Sequence, residues 1–213
     1  MMCRTSCARR LQAAIGLVRQ SPQKLDSSLD RIEREATRLS ELVGEVLTLA
    51  RLESVSPAAE PVELADVVAS VAEDARFEAQ AAGCDVSFQG VGGAIVRGSA
   101  ELLHRAVENV VRNAVKYTAP GSTVAIAMRL EVNPPRAVVT VTDHGPGIAP
   151  EELGRIFEPF YRASNGEGRA QGFGLGLAIA QRAIEAHGGQ IRAANVEGGG
   201  LRIEIALPSF TQR

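Results

Sequence analysis

The stretch Ala137-Val138-Val139-Thr140-Val141-Thr142-Asp143-His144-Gly145-Pro146-Gly147-Ile148 decides how this chain reads. Its first half is dense in β-branched residues and predicts a buried strand. A carboxylate at the strand end, followed by Gly-x-Gly, suits a pocket floor. Asp143 can accept a hydrogen bond from an amine, and the glycines let backbone approach a flat ligand closely. A second glycine run, Gly172-Phe173-Gly174-Leu175-Gly176-Leu177, leads into the apolar helical pattern Leu175, Leu177, Ile179 and Ala180. Glycines that open a helix present free N–H groups and the positive dipole end, which favours phosphate. The two runs together describe a nucleotide site with a base-reading end and a phosphate-reading end.

A lone Gly-x-Gly is usually only a turn, so the order of the surrounding pieces matters more than either run. Upstream lies a helix opened by Ser99 as N-cap, with Leu102, Leu103, Ala106, Val107, Val110 and Ala114 as its core side. Asn109, Asn113 and Lys116 fall at steps of four and three and form one polar stripe on it. Between the glycine runs stands Phe157-Glu158-Pro159-Phe160-Tyr161-Arg162, and after them comes Ala186-His187-Gly188-Gly189. No Gly-x-x-x-x-Gly-Lys-Ser/Thr occurs and no early strand carries the glycines, which excludes the P-loop and Rossmann patterns.

In this order the motifs resemble the ATP-binding domain of sensor histidine kinases, in the gyrase-type ATPase superfamily, over roughly residues 61–208. The resemblance implies Mg²⁺ on Asn113, Asn109 in the metal–phosphate shell and Lys116 on a phosphate, with Tyr117 beside the site. An amide oxygen plus triphosphate oxygens is a plausible shell for magnesium, which prefers oxygen and keeps several waters. Asp143 is expected to accept from the adenine amine, between apolar walls at Ile148 and Leu177. Gly145, Gly147, Gly172, Gly174, Leu175 and Gly176 are expected to line the nucleotide. The polar, glycine-containing segment between Arg162 and Gly172 reads as a lid, with Arg162 and Arg169 in reach of the γ-phosphate. For Arg169 a plain surface loop is the alternative. His144 reads as a solvent-facing turn residue and His187 as part of a helix end.

Composition sets the outer bounds. The 213 residues are 45% hydrophobic, enough for a real core in one or two domains. A formal charge of −2 argues against a broad nucleic-acid-binding face. The cysteines Cys3, Cys7 and Cys84 lack metal-site spacing and read as free thiols in a reducing compartment. No apolar run is long enough to span a membrane. The expectation is therefore the cytoplasmic catalytic end of a membrane-anchored parent kinase, attached to the membrane only through a missing N-terminal sensor part.

Towards the N-terminus, residues 11–19 have apolar positions at helical spacing, and Ser21-Pro22 interrupts them. Leu25, Leu29, Ile32, Ala36, Leu39, Val43, Val46 and Ala50 then alternate by four and three as an a/d heptad line. Asp30, Arg31, Glu33, Arg34, Glu35, Arg38, Glu41 and Glu45 read as a solvated charged face. So long a seam has little to bury against in one hairpin, which points to a homodimeric four-helix bundle.

The fold expected is α+β: a helical hairpin over 1–54 forming that bundle, a linker over 55–61, and an α/β sandwich over 62–213. The sandwich is expected to hold a mixed, mostly antiparallel five-stranded sheet and three helices. The implied activity is Mg-ATP-dependent phosphoryl transfer to a histidine, and onward to an aspartate of a response-regulator receiver domain. An ATP-hydrolysing gyrase-type relative is the first alternative. It is disfavoured because Asn109 stands where those enzymes place a water-activating glutamate, and Glu108 is rotated ~100° off the stripe. A non-catalytic ATP-binding dimerisation module is the second.

That second alternative rests on a departure from the family. The first helix of such hairpins carries His-Glu-Leu-Arg-Ser/Thr-Pro, whose imidazole is the phosphoacceptor. Here residues 2–10 read Met2-Cys3-Arg4-Thr5-Ser6-Cys7-Ala8-Arg9-Arg10, and the only histidines are His104, His144 and His187, so no phosphoacceptor is assigned. Cys3 to Arg10 can be encoded TGT-CGC-ACG-AGC-TGC-GCT-CGC-CGC, which read from its third base gives Ser-His-Glu-Leu-Arg-Ser-Pro. A frameshift hypothesis therefore predicts these codons in the genomic DNA, and sequencing that returns others ends it.

Overall fold

The computed structural model describes residue 12 and residues 25–52, 60–163 and 172–210. Cys3, Cys7, the 11–19 pattern, Ser21-Pro22 and Arg169 lie outside them. The chain divides into two compact units, Met1–Thr48 and Leu49–Arg213.

The first unit carries most of helix α1 (Leu25–Leu52). Within the single chain no member of the heptad line whose side chain is described is buried. Leu42 and Glu35, seven residues apart, are buried at 9% and 7% exposure. Leu29, Val43 and Leu47, about 100° round the helix, stand 49%, 55% and 54% exposed, while Ile32 and Leu39 are half-buried between the two lines. Glu35 therefore leaves the charged face on which the sequence put it, because the buried line is turned towards positions 35 and 42. The outcome is a continuous exposed apolar stripe along α1.

The second unit is the sandwich. Strand β1 (Glu60–Glu63) starts within the segment expected as linker. It pairs only with β3 (Ile95–Gly98), so Pro61 sits on an edge where its missing N–H costs no ladder bond. Helix α2 (Leu64–Ala82) buries Leu64, Val68, Val71, Ala75 and Ala79 along one face and ends on Gly83 in the left-handed region. Glu63 ties its start to the turn before β3, accepting from the N–H groups of Ala65, Gly93 and Ala94. Cys84 follows, buried, and burial pushes its thiol pKa up.

The main sheet has the order β2 (Asp85–Gln89), β4 (Thr123–Val132), β5 (Pro135–Thr142), β7 (Leu201–Pro208), β6 (Gln190–Asn195). Only the β2–β4 pair is parallel. Register aligns apolar side chains in rows across the strands. One row is Phe88, Ile126, Val141, Ile203 and Ala193; the next is Met128, Val139, Ile205 and Ile191. Each large side chain so buried contributes roughly 1.5–3 kcal/mol. The intervening rows carry Thr140, Glu204 and Arg192, the polar side of the pleat. Strand β4 has no counterpart in the sequence reading, although Val124, Ile126 and Met128 are buried while Ala125, Ala127 and Arg129 are exposed.

Helix α3 (Ala100–Tyr117) lies between α2 and α4 (Gly176–Ala186) and buries Leu103, Ala106, Val107, Val110, Val111 and Ala114. Ser99 caps α3 by accepting from Leu102 N–H at 3.4 Å. The far ends of α3 and α4 are joined by His187. Its Nε2 accepts from Ser99 N–H at 3.0 Å, which leaves Nδ1 as the donor to Ala183 O at 2.6 Å. His187 thus ends α4 and also holds the start of α3. These pairings set the sheet's β5 end and the α3 stripe on either side of the candidate site.

Candidate nucleotide site

Asp143 leaves β5 at the sheet's centre, buried to 4% exposure. Its Oδ1 accepts from Gly145 N–H at 2.8 Å and from Leu201 N–H at 3.1 Å, while its own N–H donates to Leu201 O at 2.9 Å. Burial pushes the carboxyl pKa up from its ordinary value, and the two N–H bonds to the charged form pull against that shift. The glycines around it are required by space. A side chain on Gly145 would sit 2.6 Å from Tyr117 O, and one on Gly200, at φ +105°, would overlap Asp143 O. Gly147, at φ +70°, lies against Asn195.

The loop after Asp143 is tied to the end of α3. Thr118 Oγ1 accepts from His144 N–H at 3.1 Å, and Ala119 N–H donates to His144 O at 3.3 Å. Ser122 Oγ donates to Ala119 O at 2.5 Å, so the 2.7 Å contact between Thr118 and Ser122 has Thr118 as donor. The first glycine run and the Asn-bearing helix are therefore one rigid corner. His144 is exposed, as its turn position suggests.

Along α3, Asn109 and Asn113 are half-buried, Lys116 is exposed and Tyr117 is half-buried. The second glycine run packs directly on this stripe. A side chain on Gly176 would lie 3.2 Å from Asn109 Oδ1, and one on Gly172 would lie 3.2 Å from Lys116 Nζ. Lys116 Nζ stands 5.2 Å over the Tyr117 ring. Burial pushes the Tyr117 phenol up, and the positive charge of Arg162 pulls it back.

The N-terminus of α4 has no side-chain cap, so the first-turn N–H groups keep their capacity for an anion. Phe173 and Leu175 are buried, and Leu175 has only its backbone to offer the site, whereas Leu177 is half-buried. Gly174 (φ +74°) allows the 157–162 segment to close on this run: Phe160 N–H donates to Gly174 O at 2.8 Å, and a Gly174 side chain would meet Tyr161 O at 2.5 Å. Phe160 itself takes φ +65°, a costly conformation for a bulky residue. Tyr161 is fixed by its hydroxyl, which donates to Glu152 at 2.6 Å, and by Arg155 4.3 Å over its ring.

At the other edge Ile148 is gripped by Asn195, whose Oδ1 accepts from Ile148 N–H at 2.9 Å and whose Nδ2 donates to Ile148 O at 2.6 Å. Neither Asn195 nor Thr118 stands out in the sequence. A lone asparagine at a strand end and a threonine after a helix have no periodicity to mark them. Among the described residues, no group of three or more His, Cys, Asp or Glu side chains is placed to hold a metal. A cation here would have to be bound by amide and ligand oxygens. The residues fit an adenine nucleotide: a buried carboxylate for an amine, an uncapped helix N-terminus for phosphate, and cations beside it.

Comparisons with known proteins place the chain in a family. Residues 98–211 match the family described as "Histidine kinase-, DNA gyrase B-, and HSP90-like ATPase". Sensor histidine kinase CpxA of Escherichia coli K12 is 34% identical over 204 residues, 94% of this chain and 44% of CpxA. The chain thus spans less than half the length of that relative. The full-length structure of ShkA in complex with AMPPNP superposes with a TM-score of 0.74 at 27% identity, over 98% of this chain and 44% of ShkA. The mycobacterial sensor histidine kinase MprB superposes at 0.64 with 31% identity, over 73% of this chain and all of that structure. By its matched residues and its fold, this chain belongs to the histidine kinase-, DNA gyrase B- and HSP90-like ATPase family, and its similarity to sensor histidine kinases extends over nearly its whole length.

Proposed function

We propose that this chain binds Mg-ATP at the corner between β5, α3 and α4, and that it is the catalytic part of a sensor histidine kinase. The observation that carries the reading is the buried Asp143 carboxylate, held through Oδ1 by two backbone N–H groups on a loop that Thr118 ties to the end of the Asn-bearing helix. With Oδ1 occupied by backbone, Oδ2 is the acceptor for the exocyclic amine of adenine. Ile148 and Leu177 wall the base. The uncapped turn of α4 and the cations Lys116 and Arg162 receive the phosphates. Asn109 and Asn113 offer amide oxygens to a magnesium ion, which when bound neutralises phosphate charge. In this mechanism the chain's residues position and stabilise rather than react.

In the family's scheme the acceptor is a histidine on the first helix of the hairpin, which residues 1–54 of this chain lack; 62–213 would be the ATP domain, and the next recipient an aspartate of a response-regulator receiver domain. Similarity to the sensor histidine kinases CpxA and MprB supports the kinase reading, and with it we infer a cytoplasmic position in a membrane-anchored parent. Among the described residues no helix is long and apolar enough to cross a membrane. The chain's own histidines do not fill the acceptor role: His187 uses both ring nitrogens internally, His104 lies on α3 and His144 in the base-side loop. This favours the second reading for the chain as written, an ATP-binding dimerising module that does not label itself.

The exposed stripe of Leu29, Val43 and Leu47 supports homodimerisation through α1. Val43→Asp should convert the dimer to monomer without lowering the ATP domain's melting temperature, since the residue is exposed within one chain. Light scattering tests this; a dimer that persists in the variant would contradict the stripe as the interface.

At the nucleotide, Asn113→Ala and Asp143→Asn should each weaken binding of a non-hydrolysable ATP analogue by roughly ten- to hundred-fold, measured by calorimetry with magnesium. The Asp143 change carries a second signature. Because burial raises its pKa, this group favours the folded state most below its ordinary pKa, and that contribution is lost as pH rises through the folded value. At neutral pH the ionised carboxylate is therefore a cost. Asp143→Asn keeps an oxygen for both N–H donors and should melt no lower than the unaltered chain at pH 7 while losing ligand. Unchanged affinity in both variants would contradict the site.

A further inference from the structure

We propose that Asn195 is a positioning residue for the base end of the nucleotide site, acting through Ile148 without touching the nucleotide; this rests on the reading of the site given above. Asn195 closes β6, and in the ladder it stands opposite Leu201, the residue whose N–H holds Asp143. One end of the β6–β7 hairpin thus grips the 143–148 loop at both termini. Leu201 fixes Asp143, and the Asn195 amide fixes Ile148 through both of its backbone groups, at 2.9 and 2.6 Å.

The bidentate pattern gives Ile148 the pairing a neighbouring strand would supply, although no strand is there. Gly147 is shaped to it: at φ +70°, a side chain there would lie 2.9 Å from Asn195 Oδ1. The distance between the amine acceptor and the apolar wall of the base slot is set by these two attachments. Releasing one lets Ile148 move while Asp143 stays held. Phosphate contacts, on α3 and α4, do not pass through this hairpin end. Asn195 is itself exposed, so its removal leaves no buried cavity.

The test is the affinity of the full chain, with magnesium, for the β,γ-imido triphosphates of adenosine and of purine riboside, which lacks the amino group. The unaltered chain should prefer the adenosine compound. Asn195→Ala should weaken the adenosine compound by roughly fivefold to thirtyfold, the worth of one or two hydrogen bonds. The purine riboside compound should lose less, so the preference narrows. Asn195→Leu, which keeps the volume without the polar atoms, should do the same with an unchanged melting temperature. Equal losses for both compounds would overturn the proposal and make Asn195 merely structural; no loss for either would overturn it as well. Failure of the unaltered chain to bind the adenosine compound would instead overturn the nucleotide reading, and this inference with it.

Discussion

A carboxylate buried at the end of a central strand is the constraint on which the rest of this structure depends. Left alone, Asp143 would be costly to ionise at 4% exposure. Two backbone N–H groups make the charge tolerable, and each comes from a different part of the chain. Gly145 must turn back over the carboxylate, which brings the loop onto the end of α3. Leu201 must approach from the side, which brings in the β6–β7 hairpin and leaves Gly200 no room for a side chain. Satisfying one buried charge thereby assembles three segments around it.

The second organising contact is between α3 and α4. Gly176 lets the start of α4 approach Asn109 in the middle of α3, and His187 ties the end of α4 to the start of α3. The helix carrying the amides and the helix presenting N–H groups to an anion cannot slide independently. Such fixed alignment is what positioning catalysis requires, because misplacement by about 1 Å can cost on the order of a hundredfold in rate.

Much of this was legible before any coordinates, and for identifiable reasons. The β5 run, the apolar face and polar stripe of α3 and the second glycine run each carry a local period or a local break, and local signals survive in sequence. The fold class, a mixed five-stranded sheet with three helices, agrees with the expectation, although β4 carried no such signal. What escaped depends on distant partners. Glu60 and Pro61 look like linker until β3 supplies an edge to pair with. Glu35 looks solvated on a charged face, and is buried. Strand β4 alternates in burial over Val124–Arg129, yet two of its three exposed positions there are alanines, so polarity marks the period only weakly. Thr118 acts through one side-chain-to-backbone bond across 26 residues and Asn195 through two across 47, which leave no pattern in the chain.

The account stands most directly on where a nucleotide binds and which way it faces. A crystal structure of this chain with magnesium and a β,γ-imido ATP analogue measures that. The account predicts the adenine amine on Asp143 Oδ2, the base between Ile148 and Leu177, and the phosphates at the N-terminus of α4 beside Asn109 and Asn113. A nucleotide bound elsewhere, or one whose base turns away from Asp143, would contradict it.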